Sequence, residues 1–72
     1  MNATISLTTF STPKGYKGAI ACYENGKLLW SSNGFADRTN RKEAFYDAMQ
    51  IAADVNKTWP EVNFTFTSRN GF

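Results

Sequence analysis

The sequence predicts an α+β domain of two layers in the order β-β-β-α-β: a three-stranded antiparallel meander, a fourth strand parallel to the first, and one helix packed on one face. Three observations carry this. Residues 2–10 alternate apolar and polar positions, Asn25-Gly26 separates two extended segments, and one stretch beginning at Arg41 repeats apolar residues at helical spacing. The 72 residues make a single domain, residues 1–72, because a second core could not be built from what remained.

Each element has its own local cause. In the first strand Ala3, Ile5 and Leu7 alternate with Thr4, Ser6 and Thr8, which gives one buried and one wet face. Pro13 and Gly15 place a loop over residues 11–15, and extended-type residues resume over 16–24. Asn25-Gly26 then tolerates the positive φ of a two-residue hairpin turn. Residues 27–32 form a third strand with Leu28 and Trp30 on one face and Leu29 on the other, ended by Asn33-Gly34.

From residue 41 to about residue 57, Ala44, Phe45, Ala48, Ile51, Ala52 and Val55 recur at three- and four-residue spacing, one face of a helix. Asn40 caps its start, and Glu43 completes a capping box by reaching back to the Asn40 N–H. Trp59-Pro60 closes it. Val62, Phe64 and Phe66 alternate with Asn63, Thr65 and Thr67 in a fourth strand, which leaves residues 68–72 as a short C-terminal tail. The expected core is Ile5, Leu7, Ile20, Cys22, Leu28, Trp30, Phe45, Ala48, Ile51, Ala52, Val55, Phe64 and Phe66. One helix covers only one sheet face, so Thr4, Ser6, Thr8, Asn63, Thr65 and Thr67 belong to a solvated face, polar but uncharged.

Composition excludes several kinds of chemistry. The single cysteine, Cys22, rules out an internal disulfide framework and a cysteine-based zinc site, and the absence of histidine removes the commonest metal ligand and general base. No metal or cofactor is expected. No apolar run approaches the roughly 20 residues that cross a bilayer, and residues 1–10 are uncharged and threonine-rich rather than basic and then apolar. A soluble cytoplasmic protein is the expectation, and the Asn-x-Thr triplets at Asn2, Asn56 and Asn63 then read as chance.

Several segments together resemble the first half of the ribonuclease H fold. They are Gly18-Ala19-Ile20 entering a strand, the hairpin at residues 26–30, Ser32-Asn33-Gly34-Phe35 after it, and residues 39–44 opening an amphipathic helix. The similarity spans roughly residues 5–56, with the fourth strand matching by order. In that family the first turn of the helix carries a metal-binding glutamate, and Glu43 falls at the matching position. Further essential carboxylates lie on the first strand and at the end of the fourth. Here those places hold Thr8, Thr9 and Phe10, and Thr67, Ser68 and Arg69. Two-metal phosphodiester cleavage needs several convergent carboxylates. The resemblance therefore implies a partial ribonuclease H-like scaffold without catalysis, similar to the stand-alone version in HicB-type antitoxins, with Glu43 acting as a capping residue.

This topology turns a net charge of +2 into a directional one. The first loop, the exit of the third strand, the start of the helix and the end of the fourth strand meet at one end of the sheet. Lys14, Lys17, Arg38, Arg41, Lys42 and Arg69 gather there with Asp37 and Glu43, six cations against two carboxylates, a local balance of +4. The opposite end carries Lys27 and Lys57 against Glu24, Asp54 and Glu61, and Asp47 lies mid-helix. The helix N-terminus adds its own positive dipole end, and Tyr16, Phe35 and Phe72 lie nearby for stacking.

Three functions fit. The first is a non-enzymatic interaction protein that docks this basic end, a sheet edge, or both on an acidic surface of a larger protein and blocks it, antitoxin-like or as a phage-encoded inhibitor in the host cytoplasm. The second is a nucleic-acid-binding module with phosphates on the cations and bases on Tyr16 or Phe35. The third is sequestration of an anionic nucleotide. The binding residues in each case are Lys14, Tyr16, Lys17, Phe35, Arg38, Arg41, Lys42 and Arg69, in a monomer or homodimer that has no contact with membrane.

Overall fold

Five elements follow the expected order in a computed structural model that describes residues 1–69: β1 (Asn2–Thr12), β2 (Gly15–Glu24), β3 (Lys27–Ser32), α1 (Arg41–Thr58) and β4 (Asn63–Arg69). The sheet runs β3-β2-β1-β4. β1 pairs antiparallel with β2 and parallel with β4, and β2 pairs antiparallel with β3. The fourth strand extends further than the alternation of Phe64 and Phe66 reaches. Ser68 and Arg69, expected in a tail, continue the ladder opposite Leu7 and Thr8. The rest of that tail, including Phe72, lies outside the described residues.

The turns form where their residues permit. Asn25 and Gly26 take φ of 52° and 77°, the pair of positive angles that lets a two-residue hairpin follow the twist of its strands. The Asn40 side chain accepts a hydrogen bond from the Glu43 N–H at 2.9 Å and so satisfies one of the free donors of the first turn. The return half of the expected capping box is absent among the described residues, since Glu43 is exposed and makes no hydrogen bond back to Asn40.

The core lies between α1 and the inward residues of β1 and β2. Ala3, Ile5, Leu7 and Thr9 of β1 are buried, as are Ile20 and Cys22 of β2 and Ala44, Phe45, Ala48 and Ala52 of α1. The open face behaves as the alternation predicts, with Thr4, Ser6 and Thr8 half-buried on the far side. Burial pushes the Cys22 thiol up, with a further contribution from the charge of Glu24.

Three expected core residues are not in it, each for an identifiable reason. Leu28 is 51% exposed because a β-bulge intervenes. Cys22 pairs with Trp30 while Tyr23 pairs with Leu28, so Leu29 is the extra residue and strict alternation fails across it. Leu28 thus joins Tyr23 on the open face, while Trp30 stays half-buried beside Cys22. Phe66 is 46% exposed although it is in register with fully buried Ile5. The helix packs on β2 and β1, and β4 lies about one strand spacing, 4.8 Å, beyond them. Ile51, 37% exposed, lies at the margin of the apolar helix face. Trp30, Val55 and Phe64 are half-buried against the core.

No helix among the described residues is long and apolar enough to cross a membrane.

Candidate functional site

Loop residues 33–40 build the basic end by fastening themselves to β2 and α1. Where β3 has ended, Arg38 continues the sheet for one residue: the Tyr16 N–H donates to the Arg38 carbonyl at 2.8 Å, and the Arg38 N–H donates to the Tyr16 carbonyl at 2.7 Å. Gly15 makes this approach possible, with φ at 135° and the Arg38 carbonyl lying where a Cβ would project. The Arg38 side chain turns to α1 and holds Asp47 through two bonds, Nε to Oδ2 at 2.8 Å and Nη2 to Oδ1 at 3.0 Å. The hydrogen bond to Asp47 and then its charge push the Arg38 guanidinium further up from its ordinary value. Thr12 Oγ1 donates to Asp37 Oδ1 at 2.9 Å and closes the corner.

The eight residues named from the sequence divide into two groups. Arg38, Tyr16, Arg41 and Phe35 are occupied internally. Arg38 pairs with Asp47, the Arg41 guanidinium carbon lies 5.0 Å from the centroid of the Tyr16 ring, and Phe35 packs half-buried against the core. Lys14, Lys17 and Lys42 form no ion pair among the described residues. Lys14 and Lys42 are exposed, on the β1–β2 turn and in the first turn of α1, and Lys17 is half-buried on the open face. Arg69 ends β4 in register with Thr8. Asp47 therefore belongs to this end through Arg38, so the six cations assigned to it by sequence position stand against three carboxylates, a formal balance of +3.

One neighbour escaped the sequence reading. Phe10, 38% exposed, is in register with Lys17 on the open face. The same alternation that placed Thr4, Ser6 and Thr8 there extends to position 10, so the signal was present.

Three of the hollows formed by the described residues have no lysine or arginine in their lining. A shallow one of about 350 Å³ lies on the open face among Ser6, Thr8, Ala19, Ala21, Tyr23 and Ser31. A second, about 380 Å³, runs between α1 and β4 beside Met49 and Phe66. The third, about 350 Å³, lies at the far end of the helix near Trp30 and Trp59. Lys14 on its turn, Lys17 on β2 and Lys42 at the helix start thus lie outside these three hollows. Among the described residues no three carboxylates, cysteines or histidines come together as metal ligands do. Comparison with protein-family models, curated proteins and solved structures returns no match.

Proposed function

We propose that this is a non-enzymatic interaction protein whose basic end docks on an acidic surface of a larger protein. One observation carries the reading. Among the described residues Lys14, Lys17 and Lys42 form no ion pair around a corner that Arg38, Asp47 and Thr12 hold in shape, and none of the three lysines lines a hollow described above. Cations on a fixed end, outside those hollows, suit a broad surface better than a small ligand, for which convergent groups in a concave site are the rule. Their field attracts an acidic partner before contact. Of the aromatic platforms named for a nucleic-acid reading, Tyr16 lies under Arg41 and Phe35 against the core, which leaves Phe10 as the exposed ring beside these cations.

The resemblance to the first half of ribonuclease H is then one of scaffold alone. Glu43 is an exposed residue of the first helical turn, and among the described residues it belongs to no group of three or more metal-ligating side chains. Glu43→Gln is expected to change stability by less than about 0.5 kcal/mol, as surface substitutions do, and neither form is expected to cleave RNA, DNA or hybrids with magnesium or manganese. Metal-dependent cleavage lost on this substitution refutes the non-enzymatic reading.

Capture from lysate on the immobilised protein, with and without nuclease, tests the partner class. Proteins retained after nuclease treatment and released by salt are the expected result. Capture abolished by nuclease assigns the basic end to nucleic acid instead.

A further inference from the structure

The two edges of the sheet are built differently. β3 is six residues long, begins with Lys27 and is broken by the bulge at Leu29, and shortness, an edge lysine and a bulge are all devices that discourage pairing with another chain. β4 is of similar length but has neither the lysine nor the bulge. Its seven residues contain no proline, its register with β1 is unbroken, and positions 63–68 carry no charge.

Its outer backbone groups can be identified. The Asn63 N–H donates to the Met1 carbonyl at 2.9 Å, so Asn63, and with it Thr65 and Thr67, directs its backbone groups towards β1. Phe64 and Phe66 direct theirs outward, since successive residues of a strand alternate. Their side chains stand on the helix-covered face with ring centroids 6.3 Å apart, Phe66 beside the hollow it shares with Met49.

We propose that β4 pairs antiparallel with β4 of a second copy about a twofold axis at Thr65, joining two four-stranded sheets into one. This register sets Phe64 of one copy against Phe66 of the other, the residues whose N–H and C=O groups point outward. Charge favours a copy of the same chain as the occupant. Antiparallel pairing lays the basic end, at +3, beside the opposite end of the second copy, where Lys27 and Lys57 stand against Glu24, Asp54 and Glu61 for a balance of −1. Glu61, two residues before β4, comes level with position 69 of the copy, an arginine. The uncharged middle of the strand meets itself without repulsion. The strand contacts involve neither Lys14, Lys17 nor Lys42, which enter only through the overall charge of their end, and the test reads mass rather than partner capture, so the pairing and the proposed function fail separately.

Sedimentation equilibrium over a wide concentration range tests it. The mass is expected to rise from 8.1 kDa towards twice that value. Thr65→Lys places two lysines opposite each other on the open face across the axis, and Phe66→Lys charges the exposed edge. Each is expected to hold the chain at the monomer mass with an unchanged circular dichroism spectrum, whereas Leu28→Lys on β3 leaves the dimer intact. A mass of 8.1 kDa at every concentration overturns the proposal. So does a dimer that survives both β4 substitutions, or one that Leu28→Lys abolishes.

Discussion

Gly18→Val is expected to unfold much of the population at room temperature, while Gly34→Ala leaves the protein as stable as before or slightly more so. A Cβ at Gly18 would project into the Ala44 carbonyl oxygen, with the Ala48 methyl at 3.4 Å. Both obstacles belong to α1, and one of them is backbone, so no side-chain rotation relieves the clash. The helix must lift from the sheet, which separates Phe45, Ala48 and Ala52 from Ile5, Leu7 and Ile20. Overpacking a core commonly costs about 1–3 kcal/mol, and a clash with main chain on a buried glycine belongs at or above the top of that range. A 72-residue domain has roughly 4–11 kcal/mol in total. At Gly34 a Cβ meets nothing within 4 Å, and the substitution removes unfolded-state freedom worth about 0.4–1 kcal/mol. Urea titration of both variants checks the pair of outcomes, and equal stability contradicts the close approach of α1 to β2.

The fold was legible in the sequence wherever one local rule decided the outcome. Asn25-Gly26 fixes a hairpin by backbone conformation alone, and the spacing of Ala44, Phe45, Ala48 and Ala52 fixes which helix face is buried. Failures arose where the outcome depended on a neighbour. The bulge at Leu29 reverses the face of Leu28, and nothing in residues 27–32 announces an extra residue, because Leu28, Leu29 and Trp30 are all apolar. Phe66 follows its alternation faithfully and is still half exposed, since its burial depends on which strands the helix covers. At the candidate site the sequence assigned its loop and helix-start cations to one end, because topology alone does that. It did not show which of them were engaged. Arg38 and Asp47 are nine residues apart across a loop and a helix, and Tyr16 and Arg41 are twenty-five apart, so their pairing is readable only from the folded chain.

That division decides how the basic end is best tested. Reversing Arg38 or Arg41 would break contacts within the domain, whereas Lys14 and Lys42 are exposed and form no ion pair among the described residues. Lys14→Glu with Lys42→Glu takes the formal charge from +2 to −2, and Lys27→Glu with Lys57→Glu at the other end takes it to the same −2. Net charge is therefore held constant between the two variants and only its position differs. A glutamate at position 42 also suits the positive end of α1, while one at position 57 opposes the negative end, each effect being about 0.3–1 kcal/mol at low ionic strength. Any loss of stability falls on the control. The decisive measurement is the association rate of each variant with a captured protein partner at low and high salt. The account predicts that the Lys14 and Lys42 pair slows association by roughly 10- to 1000-fold at low salt, the range of electrostatic steering. The difference from wild type should shrink as salt rises, and the Lys27 and Lys57 pair should bind nearly as wild type does. Equal slowing by both pairs would show that only overall charge matters, and unaltered rates in both would remove the partner from the basic end; either result contradicts the account.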